Sequence, residues 1–67
     1  MNFGNALKTI RLLKKIHQKD AADLLHMDVR NLRRIESNKT RITAEQLVQF
    51  AEVYRVDITY IFQLAQG

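Results

Sequence analysis

The chain of 67 residues is long enough for one domain, which we expect to span residues 1–67, and has no room for a second. It contains no cysteine, no proline and only two glycines, which excludes a disulfide framework, a thiolate zinc site and a turn-rich β architecture. Hydrophobic residues make up 46% and charged residues 27% of the chain, as is typical of a folded helical domain. No apolar run could span a membrane and no signal-peptide core precedes the domain, so we expect a cytoplasmic protein.

Positive charge is concentrated in the first two thirds of the chain. Residues 8–41 hold ten Lys and Arg against four acids, a net charge of +6, whereas residues 42–67 hold one against three, a net charge of −2. Clustered cations attract a phosphate backbone because their fields add. This distribution indicates a nucleic-acid-binding surface, although an ordinary solvated basic face has the same composition.

The first two predicted helices are joined by a short connection. In the first, apolar residues recur at i, i+4 and i+7, namely Phe3, Leu7 and Ile10, with Leu13 following, and this stripe is expected to face the core. This helix is predicted to run to about Lys15, and the second from about Gln18 to Leu25. The adjacent Ala21 and Ala22 in the second helix would let another helix approach closely.

A third helix of about ten residues is predicted to begin at Val29, because Asp28 is a good N-cap. Only three residues separate it from the second helix. At 100° per residue, five residues of this helix fall within an arc of about 140° on one side of it. That arc contains Val29, Arg30, Arg33, Arg34 and Ser37. Leu32 and Ile35 point the other way, so we expect a helix with an apolar back and a cationic front.

Two further helices follow. Thr43 and Gln46 form a T-x-x-Q capping-box pattern at the start of the fourth, and Asp57 is a good cap for the fifth. Their apolar residues recur at helical spacing: Leu47, Phe50, Ala51 and Tyr54, then Ile58, Ile61, Phe62 and Ala65. We therefore predict an all-α, compact five-helix bundle. Its second and third helices have the arrangement of a helix-turn-helix, which places one helix in a DNA major groove.

The residues of these helices resemble the Cro/C1-type (XRE) helix-turn-helix family over about residues 6–62. The resemblance is carried by the run IHQKDAADLLHMDVRNLRRIE from residue 16, by NKT from residue 38 and by QLVQFA from residue 46. The stretch VDITYIF from residue 56 is similar to that family's last helix. The resemblance implies a lambda repressor-like DNA-binding domain whose third helix reads the major groove.

Four positions depart from that family's usual pattern. His26 and Asn38 stand where glycine is usual, His17 where a threonine-like cap is usual, and Ile42 near a usual proline. Histidine and asparagine tolerate left-handed backbone better than most residues. We expect the turns to survive at modest cost and the second helix to be less well capped.

The resemblance also implies roles for individual side chains. The residues expected to contact base edges are Val29, Arg30, Arg33 and Arg34. The planar fork of arginine suits guanine, and an exposed Val29 would suit a thymine methyl group. Phosphate contacts fall to Gln18, Asn31, Asn38, Lys39, Thr40 and Arg41. The alternatives are a solvated basic face and, after the third helix, a simple C-cap loop.

Two further pairs have expected roles outside direct DNA contact, the first from the resemblance and the second because the core does not need every apolar residue of the last helix. Arg11 and Glu36 match positions that form an ion pair between the first helix and the end of the third. Ile58 and Tyr60 on the last helix are the expected dimer contact. A single helix reads only a few base pairs, so we expect a homodimer on a two-fold symmetric double-stranded operator.

No constellation indicates an enzyme, a cofactor or a metal. There is no nucleophile with an adjacent base and no glycine-rich phosphate loop, and His17 and His26 are expected at the surface or in turns. We expect a small transcriptional regulator of the repressor type with no evident small-molecule ligand. Two alternatives stay open. One is a protein-interaction module of the same fold, such as an antitoxin-like or anti-repressor partner. The other is a basic helical protein on anionic membrane, which would leave one apolar helix face uncovered.

Overall fold

The computed structural model describes residues 1–67 and contains five α-helices and no strand. The helices are α1 (Phe3–Leu13), α2 (Gln18–Leu24), α3 (Val29–Glu36), α4 (Ala44–Tyr54) and α5 (Ile58–Gln66). The all-α, five-helix prediction is confirmed, and the observed helix ends differ from the predicted ones by one or two residues, the usual uncertainty of a frayed terminus. None of the helices has the length and apolar character needed to cross a membrane.

Four of the five helices have a side-chain N-cap. Each accepts a hydrogen bond from a backbone N–H of the first turn: Asn2 for α1, Asp28 for α3, Thr43 for α4 and Asp57 for α5. The Thr43–Gln46 capping box is closed in both directions, with bonds of 3.1 and 3.0 Å. His17 makes no such bond at the start of α2, as expected from its departure from the family pattern.

The first four helices end in the same way. At the C-terminal end of each of these helices, one residue has a left-handed backbone with φ between 55° and 60°. These residues are Lys15, His26, Asn38 and Arg55. The N–H of the next residue then bonds to the carbonyl five positions earlier, which closes a Schellman motif. After α1, α2 and α4 that next residue is apolar and packs against the core: Ile16, Met27 and Val56. None of the four left-handed residues is glycine, so each turn contains the steric strain of a Cβ.

All five helices contribute to one core. Leu13 is the exception to the predicted stripe of α1, since it is 66% exposed at the last turn of the helix. The largest fully buried side chains are Leu7, Ile10, Leu32, Ile35, Phe50, Tyr54 and Ile61. α1 is central, because it lies against α3, α4 and α5. Ala21 and Ala22 are 0% and 1% exposed, and their small side chains let α2 approach closely. The two helices of the predicted helix-turn-helix are therefore held on one apolar base.

The start of α1 meets the end of α5. The Asn2 N–H donates to the carbonyl oxygen of Ala65 at 2.9 Å. The rings of Phe3 and Phe62 meet edge to face with centroids 5.3 Å apart, a favourable geometry for aromatic pairs. α5 thereby anchors the helix on which α3 rests.

Candidate nucleic-acid interface

α3 has an apolar back and a cationic front. Leu32 and Ile35 are 0% and 2% exposed. The exposed side carries Arg30, Arg33 and Arg34. The only ion pair in the protein joins Arg11 to Glu36, so no carboxylate neutralises these three arginines. They form a cluster of unpaired positive charge on a helix that the core holds in place.

Local hydrogen bonds set the two ends of α3. The Arg30 N–H donates to Oδ1 of Asp28 at 2.8 Å and fixes the start. At the other end the Ser37 hydroxyl donates to the carbonyl of Arg33 at 2.7 Å, and Asn38 turns left-handed at φ 60°. α3 therefore has eight residues rather than about ten.

The side chains of Val29 and Asn31 differ in how accessible they are to a partner. Val29 is partly buried and packs against the core, so the expectation of a freely exposed valine is wrong and only part of its side chain is accessible. Asn31 is exposed, and its amide lies 4.0 Å from the sulfur of Met27. That long, weak contact leaves the amide of Asn31 available to another partner.

Arg11 and Glu36 form a buried ion pair between α1 and the end of α3. Nε of Arg11 lies 2.7 Å from Oε2 of Glu36 and Nη2 lies 3.1 Å from Oε1, with side-chain exposures of 7% and 3%. Nη1 of Arg11 also donates to the carbonyl of Ile16 at 2.8 Å. Such bidentate geometry is directional, so the pair fixes how α3 sits on α1.

Gln18 extends this ion pair to the front of α3. Its Nε2 donates to Oε1 of Glu36 at 2.9 Å, and its Oε1 accepts from Nε of Arg33 at 3.4 Å. The side chain predicted to contact phosphate therefore also joins α2 to α3 inside the protein. One N–H of its amide is left without a partner in this arrangement.

Asn38 is a cross-link as well as a loop residue. Its Oδ1 accepts from the Gly4 N–H at 3.1 Å, and its Nδ2 donates to Oδ1 of Asn2 at 2.6 Å. A Cβ on Gly4 would lie only 2.6 Å from Oδ1 of Asn38, so this approach requires glycine. The following Lys39 and Arg41 are exposed cations without a carboxylate partner.

The hydroxyl of Tyr54 is buried near the ion pair and has no hydrogen-bond partner. Burial raises the pKa of this hydroxyl, the charge of Glu36 raises it further and Arg11 opposes the shift. Tyr54 is 1% exposed and packs edge to face on Phe50 with centroids 5.6 Å apart. It therefore acts as a core residue with an unsatisfied polar group.

The expected dimer contacts lie on α5. Tyr60 is 38% exposed, whereas Ile58 is partly buried against the core. His17 and His26 are both exposed and lie at helix ends. The structure contains no group of three or more His, Cys, Asp or Glu side chains that could hold a metal ion.

Sequence reasoning missed the internal bonds of Gln18 and Asn38. Asn38 and Gly4 are 34 positions apart, and Gln18 and Glu36 are 18 apart, so no local periodicity connects them. Gly4, in the first turn of the predicted first helix, was the one available signal, because an isolated glycine in a helical pattern often has a packing reason.

The fold and this cationic surface define a helix-turn-helix protein. A helix-turn-helix family model matches residues 7–61, which is most of the chain. The chain belongs to this Cro/C1-type helix-turn-helix family, and the resemblance seen in the sequence is confirmed. The family binds DNA and is not enzymatic, so the protein is a DNA-binding regulator of the helix-turn-helix class. A comparison with curated proteins found no match.

Proposed function

We propose that the protein is a sequence-specific double-stranded DNA-binding regulator of the repressor type, with α3 as the reading helix. The observation that carries this proposal is the set of unpaired arginines on the exposed side of α3, whose other side is locked into the core. The major groove is about 12 Å wide and admits one helix with its side chains. A helix that is fixed from behind enters the groove in a defined orientation.

The proposed base contacts are those of the front of α3. Arg30 is the first candidate, because it lies in the first turn and its fork can donate two hydrogen bonds to O6 and N7 of guanine. Arg34 lies one turn later on the same side, and Arg33 is oriented by Gln18 at 3.4 Å. The accessible part of Val29 suits a thymine methyl group.

The proposed phosphate contacts flank this reading surface. Lys39, Thr40 and Arg41 follow α3 directly, and two of them are unpaired cations. Gln18, Asn31 and Asn38 belong to the same set, because each carboxamide has two N–H donors and uses at most one within the protein. Such contacts set register without reading sequence.

A homodimer is proposed for binding to a symmetric operator. Half-sites one helical turn apart are centred about 34–36 Å from each other. The protein measures 26 × 23 × 20 Å, so two copies fit side by side at that spacing. Tyr60, which is 38% exposed, and the accessible part of Ile58 are the proposed contacts.

Selection from a random duplex pool at two salt concentrations tests the proposal. We expect an enriched symmetric site, with affinity that falls steeply with salt because bound phosphates release counterions. Arg30→Lys is the matched variant, since it keeps the charge but loses the fork. It should relax selectivity at one base position, by roughly 1–3 kcal/mol, with an unchanged salt dependence.

Lys39→Gln should do the opposite. It is expected to weaken binding to all sequences alike and to reduce the salt slope by about 1. A pool that yields no enriched sequence at either salt concentration would refute sequence-specific reading. In that case, binding of an acidic protein partner that is lost in Arg30→Ala and Arg34→Ala would favour the interaction module.

A further inference from the structure

A cavity of about 380 Å³ opens between the start of α1 and the loop that joins α3 to α4. Its apolar lining comes from Phe3, Ile35 and Ile42. Its polar lining comes from Lys39, Thr40 and Arg41. Its size lies at the small end of the range for ligand sites, about 300–1,000 Å³. It can hold the apolar body of a small organic molecule.

Hydrogen bonds in the free protein hold one side of the cavity in place. The amide of Asn38 bonds at 3.1 Å to the N–H of Gly4 and at 2.6 Å to Asn2. A Cβ on Gly4 would collide with the carbonyl of Ile35, so the backbones of α1 and α3 touch here. Because these bonds tie the two walls together, the cavity does not depend on a ligand to form it.

The charge at the cavity selects for an anion. No acidic residue lines it, whereas Lys39 and Arg41 are both present and neither has a carboxylate partner. The N-terminus of the 11-residue helix α1 adds partial charge of the same sign. A carboxylate can pair with the two cations through charge-assisted hydrogen bonds, and an apolar body can lie against Phe3 and Ile42.

We propose that this cavity binds a small organic carboxylate and that its occupation excludes DNA. The second part rests on the proposed function, since Lys39, Thr40 and Arg41 are the proposed phosphate contacts. The ligand carboxylate and the DNA phosphates compete for the same cations, so each weakens the binding of the other by the same factor. The DNA-binding domain thereby contains its own effector site.

Titration of benzoate into the ¹⁵N-labelled free protein tests the cavity without DNA. We expect saturable amide shifts at Gly4, Lys39 and Ile42, with half-saturation on the order of 1 mM for a ligand of this size. Benzyl alcohol has the ring without the charge, and inorganic phosphate has charge without the ring. Both should produce much smaller shifts at the same residues.

Two variants locate the site. Arg41→Gln should weaken benzoate binding about tenfold, the loss of one charge-assisted hydrogen bond. Lys8→Gln removes an exposed lysine that does not line the cavity and should leave benzoate binding unchanged. Equal effects of the two variants would overturn the site, as would equal shifts from benzoate and either control compound.

Competition with DNA is measured separately. Saturating benzoate should weaken binding to the selected duplex at least tenfold relative to the same concentration of chloride. Unchanged DNA affinity would overturn the exclusion and leave the ligand site standing. A protein that binds no duplex in any condition would refute the proposed function, whereas the shifts in the free protein would still decide the cavity.

Discussion

Replacement of His26 by glycine is expected to strengthen the fold. His26 leaves α2 with a left-handed backbone at φ 56°, and its side chain is exposed. The hydrogen bonds of this turn come from backbone N–H groups, including that of Met27 to the carbonyl of Ala22 at 3.0 Å. Glycine can make all of these bonds, so the substitution removes strain without removing a contact of the turn.

The expected gain follows from two opposing effects. A left-handed backbone costs a residue with a Cβ roughly 1–2 kcal/mol. Glycine avoids this strain, but it raises the conformational entropy of the unfolded chain, which offsets about 0.5–1 kcal/mol of the gain. From the middle of each range, the free energy of unfolding of His26→Gly should therefore rise by about 0.75 kcal/mol. In a domain of this size 1 kcal/mol moves Tm by about 4–8 °C, so Tm should rise by about 3–6 °C.

Asn38→Gly is the matched variant and should behave in the opposite way. Asn38 is also left-handed, at φ 60°, and asparagine, like histidine, tolerates this backbone better than most residues. Its amide bonds to Gly4 and Asn2, and each such bond is worth about 1 kcal/mol. The lost bonds outweigh the relieved strain, so Asn38→Gly should unfold at a lower temperature than the parent protein.

Thermal and urea unfolding, followed by circular dichroism, measure both variants. A gain in stability from both would show that the Asn38 amide does not hold α1 to the α3–α4 loop. A loss from both would show that the left-handed caps are not strained. Either result refutes the reasoning, because only opposite signs separate relief of strain from loss of a cross-link.

Three other substitutions have definite expected outcomes. Tyr54→Phe removes a buried hydroxyl whose pKa is raised by burial. Because the folded state holds this proton more tightly than the unfolded state, the parent protein should lose stability as the pH rises above about 10. Tyr54→Phe should lose less stability over the same pH range in a series of urea melts, and a loss equal to that of the parent would contradict the burial of this hydroxyl. Glu36→Ala leaves Arg11 buried and unpaired, which costs about 3–5 kcal/mol, and should lower Tm and DNA affinity together; an unchanged melting curve would contradict the role of the pair. Leu32→Ala, at a side chain with 0% exposure, should cost about 2–5 kcal/mol, and a cost below 1 kcal/mol would show that the back of α3 is not packed.

The helices could be predicted from the sequence because their signals are local. The capping box of Thr43 and Gln46 and the cap at Asp57 lie within one turn of the helices they start, and all three of their hydrogen bonds are present. The end of α3 could not be placed as well, since Ser37 and Asn38 continue its polar pattern. Its last turn is decided by the left-handed backbone of Asn38, a conformation that glycine would have signalled more clearly.

The interface could be predicted only in its outward half. The front of α3 follows from the angular positions of its arginines, which need only the 100° step of a helix. The internal bonds of Gln18 and Asn38 depend on which helices meet, and that is settled by the packing of distant residues. Val29 illustrates the same limit, because its place on the front of α3 did not reveal that the core covers part of it.

The two flanks of the reading helix differ in what a substitution can change. Gln18 is bonded to both Glu36 and Arg33, so changes at the start of α2 alter the buried ion pair and one of the proposed base-reading side chains together. Lys39 and Arg41 have no partner within the protein, so changes there alter charge without disturbing the core. If the proposed contacts hold, substitutions in the α3–α4 loop at Lys39 and Arg41 should change DNA affinity with little cost in stability, whereas the orientation of α3 should not change without weakening the fold. The proposed carboxylate site lies on the Lys39–Arg41 flank, where binding of a ligand would change the free energy of unfolding least. A reversible control of DNA binding is expected at such a place, because a ligand can act there without disturbing the core.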